Sequence, residues 1–373
     1  MHEKYMKEAV GLAKNGMGFV NPNPMVGAVI VKNGEIIGRG FHKKYGCLHA
    51  EREAFADCDS RGIDCTGADM YVTLEPCCHH GKTPPCTDAV IQHKIGHVYI
   101  GSSDPNPLVA GKGVKILREH GIEVTEGILK DECDELNEIF FHYITTGRPF
   151  VTMKYAMTMD GKIACYTGES KWITGEQSRM NVQYERLRHS AIMVGIGTVL
   201  ADNPMLTCRL ENGRNPIRII CDTHLRIPLD CNIVDTAKEV PTIIATASHD
   251  VRQLSTLDVL GCHIMQLDEI NGHINLNQLI TKLTKRKDID KVDSILLEGG
   301  GELNWAMLNV GLVNKVQAYI APKIFGGAGA KSAVSGRGVP APSDAFMLTD
   351  TKVKHIGDDI LIESRVKNVH GNN

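Results

Sequence analysis

The feature that most constrains this chain is a split set of metal-ligand side chains. His49-Ala50-Glu51 stands well before Pro76-Cys77-Cys78-His79-His80-Gly81-Lys82-Thr83-Pro84-Pro85-Cys86. A fold that uses one histidine and two cysteines on a single ion has to deliver them to one point from separate elements. Three protein ligands with water in the fourth position mark a catalytic zinc, whereas a structural zinc is closed by a fourth protein ligand.

A neutral imidazole and two thiolates cancel the formal charge of Zn2+, yet the ion still lowers the pKa of its water toward neutrality. Glu51 is left over from the ligand set, two residues after His49. It can take the proton of the water and return it to a ring and a leaving ammonia, which is general acid and base work. His-x-Glu followed by Pro-Cys-x-x-Cys is the signature of zinc-dependent base deaminases. The cluster therefore points to zinc-hydroxide deamination of a nitrogen heterocycle. Here eight residues separate Cys77 from Cys86. Cys77 is the preferred first ligand because it directly follows Pro76. Cys78, His79 and His80 are rivals, and Cys78 or His80 could instead close a structural site.

At 373 residues the chain exceeds the roughly 100 to 200 residues of one domain and is expected to form two. With 42% hydrophobic and 23% charged residues it can bury a sizeable core. A net charge of -3 and a pI near 6.6 give no reason to expect a nucleic-acid partner. The apolar stretches are short and interrupted, so no membrane span is expected. Met1-His2-Glu3-Lys4-Tyr5 lacks the apolar run of a signal peptide. Twelve cysteines without export fit a reducing cytoplasm.

In the first half, Tyr5, Met6, Ala9, Val10 and Ala13 at helical spacing predict a helix over residues 3–15. A strand over 25–32, the hairpin dipeptide Asn33-Gly34 and a return over 35–41 follow. His49 opens a helix to about Cys58, residues 69–74 form a strand ending at Glu75-Pro76-Cys77, and Cys86 begins a helix to about His93. Helix N-termini at His49 and Cys86 would favour thiolate over thiol. A strand over 97–101, the loop Asp104-Pro105-Asn106-Pro107, a helix over 114–119, a strand over 123–127 and one helix over 129–145 complete this half.

Gly147-Arg148-Pro149 marks the expected boundary. Beyond it, apolar runs predict strands over 150–157, 191–195, 216–222, 242–247, 295–298 and 315–320 with helices between, then a hairpin over 346–366. Ile295 to Glu302 runs from a strand through Gly299-Gly300-Gly301 toward a helix. Such a turn lets backbone N-H groups approach a pyrophosphate, although it also serves as a plain tight turn.

His49-Ala50-Glu51, Thr73-Leu74-Glu75-Pro76-Cys77, Gly81-Lys82-Thr83-Pro84-Pro85-Cys86, Asp104-Pro105-Asn106-Pro107 and Asn21-Pro22-Asn23-Pro24 together resemble the deaminase half of the RibD family of bifunctional riboflavin-biosynthesis enzymes. Lys154-Tyr155-Ala156, Asp160-Gly161-Lys162, Gly168 to Thr174, Gly197 to Pro204 and Glu298-Gly299-Gly300 resemble its reductase half. The resemblance implies an α/β chain with a cytidine-deaminase-like three-layer α/β/α domain over 1–146. A dihydrofolate-reductase-like α/β domain over 147–373 would follow it. The implied reactions are deamination of 2,5-diamino-6-(5-phosphoribosylamino)pyrimidin-4(3H)-one and NADPH-dependent reduction of the ribosyl group of 5-amino-6-(5-phosphoribosylamino)uracil to ribityl.

Carried over motif by motif, the resemblance gives zinc to His49, Cys77 and Cys86 and catalysis to Glu51. It gives the deaminase substrate to Asn23, His42, Lys82 and Asn106. Ala156, Trp172, Thr198, Asp202, Thr223 and the turn Gly300, Gly301, Glu302, Leu303, Asn304, Trp305 and Ala306 would hold NADPH. Ser170, Arg186, Leu206, Arg209 and Glu298 would hold the reductase substrate, with Arg186 and Arg209 suited as forked donors to a ribose phosphate. Small-molecule substrates, no nucleic acid, no membrane and a homo-oligomer are the expected associations. Two rivals are a nucleobase or tRNA deaminase with an unrelated second domain, and a non-catalytic zinc or nucleotide scaffold.

Overall fold

The computed structural model describes residues 2–79, 84–107 and 109–367. The chain forms two compact units, Met1–Gly147 and Arg148–Asn373. The first unit contains α1 (His2–Ala13), β1 (Gly27–Lys32), β2 (Glu35–Phe41), α2 (Ala50–Ser60), β3 (Asp69–Leu74) and α3 (Cys86–Gln92). It continues through β4 (His97–Ser102), α4 (Lys112–Glu119), β5 (Glu123–Glu126), α5 (Lys130–Leu136) and α6 (Glu138–Thr146). Its sheet has the order β2-β1-β3-β4-β5, antiparallel through β3 and parallel from β3 to β5.

Successive side chains of a strand point to opposite faces, so an all-apolar strand must be covered twice. In β1, Val29 and Val31 pack with Tyr5, Met6, Ala9 and Val10 of α1. Ala28 and Ile30 pack with Ala50, Ala54 and Phe55 of α2. The result is three layers, α/β/α. The hairpin between β1 and β2 turns on Asn33 and Gly34 at φ 54° and 83°, the left-handed pair that such a turn requires. Gly40 sets the seat of α2: a Cβ there would lie 2.2 Å from the Ala50 carbonyl oxygen. Only glycine lets the first turn of α2 approach β2 this closely.

Two expectations change here for one reason. The predicted helix over 129–145 is broken at Asn137, and the predicted strand from Met25 starts only at Gly27. The buried Asn137 side chain accepts from the Met25 amide at 2.8 Å and donates to the Met25 carbonyl at 2.9 Å. One side chain thus satisfies the backbone of Met25 in place of a neighbouring strand, and the helix yields its continuity at that residue.

The second unit contains β6 (Phe150–Thr158), α7 (Glu176–Arg188), β7 (Ala191–Gly195), α8 (Ile196–Asp202), β8 (Ile217–Cys221), α9 (Asn232–Asp235), β9 (Thr242–Thr246) and α10 (Val251–Val259). After β10 (His263–Gln266) come the short β11 (Glu269–Ile270) and β12 (His273–Ile274), α11 (Leu276–Lys285), β13 (Ser294–Leu297), α12 (Gly301–Asn309), β14 (Lys315–Ala321), β15 (Leu348–Ile356) and β16 (Asp359–Val366). The sheet order is β10-β9-β8-β7-β13-β6-β14-β16-β15. It is parallel from β10 to β14, and β16 and β15 are antiparallel.

Leu279, Ile280 and Leu283 of α11 and Met307 and Leu308 of α12 cover one face. Val199, Ile233, Val234 and Leu257 cover the other. The chain walks outward from β6 to β10 and returns to insert β13 between β7 and β6. That reversal makes a topological switch point between β7 and β13, and ligands of such sheets bind at the carboxyl ends of the strands there. None of the twelve cysteines is in a disulfide. Among the described residues no helix is long and apolar enough to cross a membrane.

Two candidate active sites

In the first unit, His49 is the N-cap of α2, Cys77 follows the end of β3, and Cys86 is the first residue of α3. The His49 Nδ1 lies 3.4 Å from the Sγ of Cys77 and 3.4 Å from that of Cys86. All three ligand atoms fall within 4.8 Å of one another. Tetrahedral bonds to nitrogen near 2.0 Å and to sulfur near 2.3 Å put N and S about 3.6 Å apart, so the donor set has the size and chemistry for zinc. Among the described residues the group has these three members, leaving a position for water. Cys78 and the exposed His79 stand outside it, and His80 lies outside the described residues.

The electrostatics suit the donor set. A hydrogen bond from Cys86, with His49 adding to it, pulls the Cys77 thiol down to about 4, and the shared proton raises Cys86 in turn. A divalent cation among them would hold both sulfurs as thiolates. Glu51 is 3% exposed, and burial, then the Cys77 charge, push its carboxyl up to about 6. That value suits a group that both takes and gives a proton near neutrality. We expect Cys77→Ser or Cys86→Ser to weaken zinc binding by more than the about 10- to 100-fold lost with a ligand's hydrogen-bond partner. Cys78→Ser should retain its zinc; metal analysis of the purified variants decides, and equal losses would reassign the ligands.

The buried His42 and Asn23 join this centre. Asn23 Nδ2 donates to His42 Nε2 at 3.3 Å, and His42 Nδ1 donates to the Leu48 carbonyl at 2.9 Å. The ring stands edge-on to His49 with centroids 5.3 Å apart. Burial lowers the His42 pKa, so the ring is neutral. Asn106 lies on the loop after β4, its amide donating to Asp104 Oδ1 at 2.8 Å. Lys82 lies outside the described residues.

Two supporting residues, Glu75 and Arg52, receive no role from the motifs. The buried Glu75 accepts from the amides of Gly111 and Gly113, each at 3.0 Å, tying the start of α4 to the residue before Pro76-Cys77. Arg52 donates to the carbonyls of Pro84 at 3.1 Å and Pro85 at 2.7 Å, holding the chain as it enters Cys86. The available signals are a carboxylate at a strand end and an arginine directly after the Glu51 position.

In the second unit, Ala156, Thr198, Thr223, Glu298 and Gly300 all stand at or just beyond the carboxyl ends of parallel strands. Glu298 is gripped by Arg186, Nε to Oε1 at 2.8 Å and Nη2 to Oε2 at 3.1 Å, and Lys154 Nζ lies 3.7 Å away. Burial alone would raise the Glu298 carboxyl, but the two cations hold it down to about 2. Arg186 thus engages Glu298 and, through Nη1, the Thr207 carbonyl at 2.9 Å, while Arg209 is exposed. The motif Lys154-Tyr155-Ala156 contains Lys154 without giving it a role; a lysine inside the mostly apolar β6 is the signal for one.

Gly300 caps α12, and nothing lies within 4 Å of a Cβ placed there, so the turn is open to an approaching ligand. Farther along, Asn304 is buried and donates to the Ala333 carbonyl at 2.8 Å. Trp305 packs against Gly336 and Phe346, so these two brace the segment after β14. Thr223 Oγ1 accepts from the Ile274 amide at 3.2 Å. Asp202 and Ser170 are half-buried. Leu206 has its side chain in the core and its backbone at φ 52°. Trp172 is 58% exposed under the Arg179 guanidinium, 4.6 Å from the ring centroid, and so is not a core residue.

A His/Cys/Cys centre with a buried glutamate, followed by a parallel-sheet domain with a glycine-rich crevice, defines a zinc-binding deaminase joined to a reductase. Residues 1–102 match the cytidine and deoxycytidylate deaminase zinc-binding region, and residues 149–362 match the RibD C-terminal domain. The chain is 54% identical to the riboflavin biosynthesis protein RibD of Actinobacillus pleuropneumoniae, over 96% of this chain and 94% of that one. It is 42% identical to RibD of Bacillus amyloliquefaciens, over 96% and 95%. The crystal structure of a diaminohydroxyphosphoribosylaminopyrimidine deaminase/5-amino-6-(5-phosphoribosylamino)uracil reductase from Thermotoga maritima aligns with TM-score 0.83 at 40% identity, covering 98% of both chains. The chain belongs to the RibD family: it is a bifunctional enzyme of riboflavin biosynthesis, with a zinc-binding deaminase domain and an NADPH-dependent reductase domain.

Proposed function

We propose that the first unit converts 2,5-diamino-6-(5-phosphoribosylamino)pyrimidin-4(3H)-one to 5-amino-6-(5-phosphoribosylamino)uracil, releasing ammonia. The second unit then reduces the ribosyl group of that product to ribityl. The observation that carries the reading is the His49, Cys77 and Cys86 group within 4.8 Å beside the buried Glu51. The Thermotoga relative, alike over nearly the whole chain, is named for both activities.

His49, Cys77 and Cys86 would hold zinc, which when bound lowers the pKa of a water and so supplies a nucleophile near neutral pH. Glu51 would take one proton from a water as its oxygen adds to the amino-bearing ring carbon and pass that proton to the ring nitrogen. It would then carry the second proton of that oxygen to the departing amine, so that one water enters and one ammonia leaves. Asn23, neutral His42, Asn106 and Lys82 orient the pyrimidine and its phosphate. The bond from Asn23 keeps the lone pair of His42 Nε2 occupied and fixes the ring edge-on to His49.

In the reductase, Ala156, Trp172, Thr198, Asp202, Thr223 and the turn from Gly300 to Ala306 would seat NADPH, with the amides at the start of α12 facing its phosphates. The cofactor supplies a hydride to the ribosyl C1'. Glu298, fixed by Arg186 and Lys154, presents a carboxylate to the pyrimidine, and Ser170, Arg209 and the Leu206 backbone line the ribose phosphate. A substrate panel tests the deaminase assignment: ammonia should come from the diaminopyrimidine phosphate and not from cytidine or an adenosine-containing tRNA. The reverse selectivity would overturn it.

A further inference from the structure

Arg218, near the start of β8, is wholly buried and has no carboxylate partner among the described residues. All five of its N-H donors are nonetheless used. Nε donates to Thr242 Oγ1 at 2.9 Å. Nη1 donates to the Met205 carbonyl at 3.2 Å and to Thr236 Oγ1 at 2.8 Å. Nη2 donates to the carbonyls of Ile233 and Val240, each at 3.0 Å. A buried cation answered only by neutral oxygens is costly, and an apolar residue would fill the same space at less cost.

What the guanidinium holds explains its presence. Met205 precedes Leu206, a buried residue in the left-handed region at φ 52°, where a branched side chain is strained. Asn203, at φ 39°, accepts two hydrogen bonds from Asn232, at its side-chain Oδ1 from the backbone amide at 2.9 Å and at its carbonyl from Nδ2 at 2.7 Å. On the far side of Leu206, the Thr207 carbonyl accepts from Arg186, whose other donors hold Glu298. The strained step at Leu206 is thus clamped between two arginines through carbonyls 205 and 207.

We infer that Arg218 is a positioning residue for the reductase: it fixes the 205–209 segment, and through Thr207 the Arg186 guanidinium, in the geometry that receives the phosphorylated substrate. This rests on the reductase reading above, in which Leu206, Arg209 and Glu298 meet that substrate and Arg186 holds Glu298 in place. It assigns a function to a side chain that touches neither substrate nor cofactor.

The test uses the full-length, zinc-loaded protein with Arg218→Lys and Arg218→Met. Lysine keeps the charge but can satisfy at most three acceptors. Displacements near 1 Å cost up to about 100-fold, so KM for the deaminated product should rise by about tenfold in Arg218→Lys. KM for NADPH and the rate of ammonia release should stay within about twofold. Amide hydrogen exchange should quicken at residues 207–209, and Arg218→Met should exceed Arg218→Lys in both effects. If Arg218→Met does not fold, Arg218→Lys decides. Unchanged exchange and unchanged KM in a variant with merely lowered Tm would overturn the inference. Faster exchange at 207–209 with unchanged KM would overturn it too, by showing that the segment does not serve the substrate. Failure of the wild-type protein to oxidise NADPH with the deaminated product would instead strike the functional reading beneath it.

Discussion

Replacing Glu51 with glutamine is expected to slow ammonia release by about 100- to 10,000-fold while zinc content stays unchanged. Glutamine keeps the shape of the side chain and leaves the three ligand atoms alone, but it can neither take a proton from water nor return one. A carboxyl 3% exposed beside Cys77 and His49 is placed for that transfer and not for solvation. The same residue sets the pH profile. The base must be ionised, so kcat/KM should fall as pH drops through about 6, or lower once a dication in the group draws the carboxyl down. Near-normal turnover of Glu51→Gln would remove Glu51 from the chemistry, and loss of zinc would make it a ligand.

The second large effect belongs to Glu298. Glutamine there would leave Arg186 and Lys154 facing each other in a buried site without a counter-charge, at a cost of about 3 to 5 kcal/mol. Thermal or denaturant unfolding of the full chain should show a transition destabilised by that amount, and NADPH oxidation should be lost while ammonia release persists. Wild-type behaviour with pH follows from the same triad. The folded Glu298 titrates at about 2, below its ordinary 4.5, so its contribution is complete above the ordinary value and is lost as pH falls toward 2. A Glu298→Gln protein with unchanged stability would show that the ion triad is not what organises the crevice.

How much of this was legible beforehand depends on the range of the cause. The strand Asp69–Leu74 lies where its apolar run places it, because burial on both sheet faces is written locally, and Glu35–Phe41 follows from the turn dipeptide Asn33-Gly34. The break at Asn137 is not local: its partner, Met25, is 112 residues away. The strands β10 to β12 lack an apolar run: β10 is the edge of its sheet and β11 and β12 pair only with each other, and they place His263, Gln266 and Glu269 beside few apolar residues.

At the zinc centre, few residue types ligate the ion, so the sequence narrows the ligands to His49, Cys86 and a choice among Cys77, Cys78, His79 and His80 in which Pro76 favours Cys77, and the fold brings the ligand atoms of His49, Cys77 and Cys86 together. Glu75, Arg52 and Lys154 gave no comparable signal. Glu75 and Arg52 act on backbone groups remote in sequence, and Lys154 acts on the distant Glu298. The fork of Arg186, which the family resemblance gives to the reductase substrate, is turned to Glu298, a carboxylate whose two oxygens match its two donors.

The most direct test of the account follows ammonia and NADPH together in one vessel containing the full-length zinc protein and the diaminopyrimidine phosphate. Ammonia should appear first and NADPH oxidation should follow it. Glu51→Gln should abolish both, and added deaminated product should restore NADPH oxidation alone. NADPH oxidation that proceeds in Glu51→Gln without added product, or ammonia release that is never followed by NADPH oxidation in the wild type, would contradict the proposed sequence of two reactions.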